Sequence, residues 1–227
     1  FPLNTVLFPG GWLPLRIFEA RYMDMVGRAM REGGGFGVCL IAAGKEVGEA
    51  AVPRLVGTEA RIERWDMDQP GLLHIGVRGG RRFALVDHEV EADGLLTGQV
   101  RWLADPPAQA VPSAQAELVP LLRKIVADHP EALPEPHHFD DAAWVGARFA
   151  EVLPIPLDAK QALLELTDWV SRLEIIQRFL RGRGPGMHHI CLEADDMDAA
   201  LERLRAHDVR LIDEEPYIGT GGRRIVF

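Results

Sequence analysis

Serine is nearly absent. Ser113 and Ser171 are the two serines in 227 residues, neither stands at a strand-to-helix elbow, and no GxSxG occurs, which argues against a serine nucleophile. Cysteine is equally scarce: Cys39 and Cys191 lie far apart, each inside an apolar strand-like run, a pattern of reduced, buried thiols in a cytoplasm and not of a disulfide framework. No apolar run approaches the ~20 residues of a membrane-spanning helix, so no membrane partner is expected. Basic charge is in deficit throughout, with 19 basic against 25 acidic side chains in residues 1–182 and 6 against 9 in residues 183–227. Neither part suits a phosphate backbone, so no nucleic acid is expected as a partner. HExxH, CxxC and GxxxxGK[ST] are also missing; GTGG at 219–222 follows a strand but opens no helix, and reads as a hairpin turn. Lysine occurs three times against 22 arginines, a bias of coding composition.

What remains is ordinary globular material: 47% hydrophobic, 26% charged, mean hydropathy −0.03. At about 150 residues per domain, the length corresponds to roughly one and a half domains, enough to build a core without disulfides or structural metals. Starting at Phe1 and stopping at Phe227 inside a strand-like run, the sequence reads as a fragment at both ends.

Three regions follow from the periodicities. Residues 1–105 are strand-rich. Short apolar runs cut by Pro2, Pro9, Gly10, Gly11 and Pro14 predict extended strands, and Phe18, Tyr22, Met25, Val26, Ala29 and Met30 recur at helical spacing up to the Gly33-Gly34-Gly35 stop. Strands are expected over 36–41, 56–67, 72–77, 81–90 and 95–103, with Asp93-Gly94 as a hairpin turn. Residues 106–182 switch to helical spacing after the linker DPPAQAVP. Leu118, Leu121, Leu122, Ile125 and Val126 form one stripe with Pro120 in the first turn; Asp140 is the expected N-cap of a helix bearing Trp144 to Val152; Asp158 and Gln161 resemble a capping box; Gly182 is the expected end of the last helix. Residues 183–227 read as β-α-β-β, too small to hold a core alone.

Two histidine pairs invite a metal reading. His137-His138-Phe139-Asp140-Asp141 matches no zinc spacing and reads better as a polar loop capping the next helix. His188-His189 lies on an expected strand, where alternation sends the two rings to opposite faces. His189 shares its face with Cys191 and Glu193, while His188 joins the more apolar face. Spacing alone favours a strand-end histidine with no ligand role.

FPLNTVLFPGGWLPLRIFEARYMDMV, FGVCLI, VGTEARI, LLHIGVRGGRRFAL, DGLLTGQV and the helical tail through RLEIIQRFL fall in the order of the Lon protease N-terminal substrate-binding domain, which residues 1–182 resemble. The resemblance implies a PUA-like β pseudo-barrel over 1–105 and a helical bundle over 106–182, a non-catalytic role in capturing unfolded or apolar peptide segments or a protein partner, and no cofactor. The motifs of that family's AAA+ motor and Ser-Lys peptidase do not occur in these 227 residues. GPGMHHICLEADDMDAALERLRAHDVRLIDEEPYIGTGGRRIVF in turn resembles the C-terminal module of methylmalonyl-CoA epimerase, of the vicinal oxygen chelate superfamily. That resemblance implies a partial βαββ module over 183–227 in which His189 binds a Co²⁺-like divalent metal, with the other ligands drawn from segments not found here. FLRGRG fits the ends of both families, so the join is either a genuine fusion or a chimera. The fold class expected is α+β. The function expected is peptide binding, with a metal-dependent epimerase acting on an acyl-CoA as the alternative, and RNA binding set aside for want of a basic aromatic patch.

Overall fold

The computed structural model describes residues 1–105 and 107–183 and the short strands Tyr217–Ile218 and Arg224–Ile225. The proline- and glycine-cut start of the chain yields β1 (Pro2–Leu3) and β2 (Trp12–Ile17). Helix α1 (Ala20–Glu32) follows and buries Tyr22, Val26 and Ala29. It ends as its glycines predict, with Gly33 in the left-handed region at φ 64° and the Gly33 N–H returning to the Ala29 carbonyl. Phe18 precedes the helix instead of joining its apolar face, and its side chain is exposed.

Strands β3 (Gly35–Ala43), β4 (Val52–Gln69), β5 (Leu72–Val90) and β6 (Leu96–Trp102) complete a six-stranded sheet. The order is β1-β3-β4-β5-β2, with β6 also on β5; β1 and β3 run parallel and the other pairs antiparallel. The Asp93-Gly94 hairpin forms as expected, closed by Glu91 N–H to the Leu95 carbonyl. Residues 72–77 and 81–90, expected as two strands, are one strand of 19 residues. Gly79 and Gly80 make no turn. Gly79 instead lets another piece of backbone lie against β5: Gly10 N–H donates to the Gly79 carbonyl at 2.7 Å and Gly79 N–H to the Gly11 carbonyl at 2.8 Å.

The second half is helical: a 3-10 turn at Ser113–Gln115, then α2 (Leu118–Asp128), α3 (Ala142–Val152), α4 (Leu157–Glu165) and α5 (Trp169–Arg183). Pro120 sits in the first turn of α2, where its missing N–H has no intrahelical partner to lose. Of the expected α2 stripe, Leu118, Leu122 and Val126 are buried, whereas Leu121 faces solvent. The N-cap of α3 is Asp141, one residue past Asp140, because its carboxylate reaches the Ala143 N–H at 2.8 Å. The Asp158–Gln161 box does not form. Asp158 pairs with Arg54 at 2.6 Å, and Gln161 donates across the domain to the Val56 carbonyl at 3.0 Å. Helix α5 continues through Gly182 without capping there.

One apolar cluster lies between the sheet and α1, including Ile17, Val26, Val38, Ile75 and Val77, and another between the helices, including Leu122, Val145, Phe149, Leu173 and Ile176. A third joins them: Val6, Phe8 and Leu40 from the first half meet Ala147, Ala150, Leu163 and Leu164 from the second. Residues Phe1–Gly184 thus form one compact unit, and Pro185–Phe227 a second. In the second, Tyr217–Ile218 (β7) pairs antiparallel with Arg224–Ile225 (β8), and the turn expected at 219–222 lies outside the described residues. This is the α+β architecture expected.

Candidate functional site

Where the N-terminal segment crosses the bundle, a cleft of about 580 Å³ opens, walled by Val6, Leu7, Leu13, Ile125, Leu133 and Val152. Thr5, His129, Glu151 and Lys160 are its polar side chains, and the last two are tied to neighbours. Glu151 Oε1 accepts from Arg148 at 2.7 Å, and Lys160 Nζ donates to the Glu151 main-chain carbonyl at 2.6 Å. Burial pushes the Glu151 carboxyl up to about 7; the Arg148 guanidinium, Lys160 and the Phe8 N–H favour its charged form without overcoming the lost hydration. The same burial lowers Arg148 and Lys160. Such a cleft, apolar with a few fixed polar groups, holds a ligand by exclusion of water and shape. A covalent reaction would need a nucleophile beside a base, and no hydrogen bond joins the Thr5 and His129 side chains.

Above and beyond the cleft, several large apolar side chains stand in solvent, among them Trp65, Met67, Val86, Val100 and Trp102 on β4, β5 and β6. Among the described residues no neighbouring strand pairs with the outer edge of β6. The basic aromatic patch missed in the sequence has a tertiary form: Arg64 and Arg78 both lie over Trp12, each with its guanidinium carbon 5.5 Å from the ring centroid, and Arg81 over Trp102 at 4.0 Å. Arg78 is not free charge, since Glu63 holds it at 2.8 Å. Residues 12, 64 and 78 are too far apart in sequence for any window to register them together.

His137 and His138 do structural work. The His137 Nε2 lies 2.9 Å from the Leu133 carbonyl, and both rings pack on Trp144. Cys39 is a buried free thiol whose pKa is pushed up by burial. His189, with Cys191 and Glu193, lies outside the described residues. Among the described residues no group of three or more His, Cys, Asp or Glu side chains could hold a metal ion, and no helix is long and apolar enough to cross a membrane.

Comparison with known proteins sorts these features. Residues 1–182 match the family described as the ATP-dependent protease La (LON) substrate-binding domain. The chain belongs to that family. The crystal structure of a Lon N-terminal domain protein from Xanthomonas campestris superimposes with a TM-score of 0.67 at 36% identity, covering 79% of this chain and 96% of that one. The Lon-type unit therefore accounts for the sheet, the bundle and the cleft between them. Residues 155–227 match the glyoxalase/bleomycin resistance protein/dioxygenase superfamily, so α4 and most of α5 fall within both matches. Methylmalonyl-CoA epimerase from Homo sapiens is 32% identical over 92 residues, 37% of this chain and 52% of the enzyme. The Dictyostelium discoideum enzyme is 48% identical over 54 residues, 23% of this chain and 32% of that protein. The chain thus spans about half or less of the epimerases it matches.

Proposed function

We propose that residues 1–182 bind unfolded or apolar peptide segments and leave them chemically unchanged. The observation that carries the reading is the apolar cleft between sheet and bundle in a domain of the Lon substrate-binding family. Peptide side chains enter the cleft, and exposed apolar positions on β4 to β6 extend the contact surface. The reduced thiol at Cys39 and the negative balance fit a cytoplasmic protein with a protein partner and no nucleic-acid partner. Fluorescence anisotropy of unstructured, apolar-rich peptides against the full chain tests this. Saturable binding is expected, weakened at least about tenfold by Ile125→Asp, which puts a charge on the cleft wall. A folded chain that binds no peptide across a broad library overturns it.

A second reading rests on the epimerase-like match alone. It would have the segment after Gly184 act as part of a metal-dependent epimerase, moving the proton beside the carbonyl of an acyl-CoA thioester. A bound divalent ion supplies Lewis-acid stabilisation of the enolate in such chemistry. In this reading the resemblance would make His189 a metal ligand, the one residue taken from this chain. On the strand expected from the sequence, Glu193 would stand about 13 Å from His189, too far to share its ion. Titration calorimetry with Co²⁺ on the chain and on His189→Ala decides the matter. No tight one-to-one binding is expected; tight binding that the substitution abolishes promotes the epimerase.

A further inference from the structure

The Lon-type unit buries four arginines, and three have a carboxylate: Arg21 with Glu19 at 2.7 Å, Arg82 with Asp105 at 2.9 Å and Arg148 with Glu151 at 2.7 Å. Arg172 is 1% exposed and makes no ion pair among the described residues. Its guanidinium donates to main-chain carbonyls at the end of α4, Nε to Leu163 at 3.0 Å and Nη2 to Leu166 at 3.4 Å. The neighbouring Arg82 uses the same helix end, donating to Leu164 at 2.6 Å and to Leu166 at 2.8 Å. Both guanidinium groups lie over one indole ring, their central carbons 4.6 Å (Arg172) and 5.0 Å (Arg82) from a Trp169 ring centroid. A helix C-terminus offers only about half a negative charge, so two cations and one carboxylate leave a positive excess. That excess acts on Arg172 itself. Burial, with the repulsion of Arg82 and Arg148 outweighing the attraction of Asp105, lowers its pKa to about 10. A buried cation without a counter-charge is costly, and an anion delivered from outside would relieve it.

There is a place for that anion. Arg172 lines a pocket of about 290 Å³ together with Trp144, Trp169, Ala108, Asp105 and Asp141. Of the two carboxylates in its wall, Asp105 is paired with Arg82, and Asp141 keeps its charge as the N-cap of α3, where the positive end of the helix offsets about half of it. The volume is at the small end for ligand sites, suited to one end group and not to a length of chain. We propose that this pocket is a carboxylate-recognition subsite, in which Arg172 receives the carboxylate of a bound peptide and the indole walls take the apolar atoms beside it. The carboxylate comes either from the peptide C-terminus or from an Asp or Glu side chain. The proposal rests on the peptide-binding reading and adds the chemistry by which one kind of peptide is preferred.

Four versions of one apolar peptide test it against the full chain: free C-terminus, C-terminal amide, amide with one internal Glu, and amide with that Glu replaced by Gln. At least one acidic version is expected to bind about tenfold more tightly than its neutral twin, as a charge-assisted hydrogen bond provides. Which twin pair shows the difference identifies the source. The preference should vanish in Arg172→Met and in Ala108→Phe, the second a loop substitution that narrows the pocket without touching the buried arginines. If Arg172→Met does not fold, Ala108→Phe carries the decision. Equal binding of acidic and neutral twins overturns the subsite while leaving peptide binding intact, as does a preference that survives Ala108→Phe. Failure of every peptide to bind removes the peptide-binding reading and the subsite with it.

Discussion

Gly79 lies directly beneath Phe8, so close that a Cβ on Gly79 would collide with the Phe8 carbonyl oxygen. The contact lets the turn at residues 8–11 dock on the middle of β5 through two backbone hydrogen bonds, and it brings Phe8 into the cluster that joins sheet and bundle. Gly79→Ala is therefore expected to force the two backbones apart. The loss should be about 1–3 kcal/mol, as in other overpacked sites, read as an earlier midpoint in urea unfolding. An unchanged midpoint would mean that the turn does not depend on this approach.

Arg82 is fully buried and ties β5 to Asp105 and to the end of α4. Arg82→Met keeps the aliphatic bulk but leaves the Leu164 carbonyl without its guanidinium donor and Asp105 without its cation. A loss of about 1–3 kcal/mol is expected, because the buried Leu164 carbonyl loses its donor, whereas Asp105, 37% exposed, is rehydrated. Chemical denaturation of the two proteins side by side measures it.

Glu151 makes stability depend on pH in a window set by its raised pKa of about 7, against an ordinary value of 4.5. The folded chain holds this proton more tightly than the unfolded chain. The contribution is therefore fully present below about pH 4.5 and is lost as pH rises through about 7, with a slope of at most about 1.4 kcal/mol per pH unit for one proton. Glu151→Gln should flatten stability across that window. A wild-type and variant pair with the same pH profile would place the carboxyl in water.

The two compact units, Phe1–Gly184 and Pro185–Phe227, imply separable stability. Deleting residues 185–227 is expected to leave the main thermal transition within a few degrees of its position in the full chain. A large drop in Tm, or loss of soluble expression, would show that the second unit completes the first.

Local chemistry wrote the elements that depend on neighbours in sequence. Helix α1 follows from apolar residues three and four apart and a glycine able to adopt φ 64°, and the β5–β6 hairpin from Asp93-Gly94. The Lon resemblance was legible for a related reason, since an ordered series of strands and helices survives as an ordered series of patterns. Contacts between distant segments left no such trace. Gly79-Gly80 looks like a turn to any short window, because close approach of Phe8 and a tight bend call for the same residue. Asp158 and Gln161 have the spacing of a capping box, but Arg54 and the Val56 carbonyl, about a hundred residues earlier, offer partners that only folding brings near. The cleft and the Arg172 pocket belong wholly to tertiary structure. Gly10, Ala108, Trp144 and Arg172 line one pocket because two halves of the chain pack together. An arginine in sequence announces a charge; whether that charge is buried, and which carboxylates lie within reach, is decided by the segments that close around it.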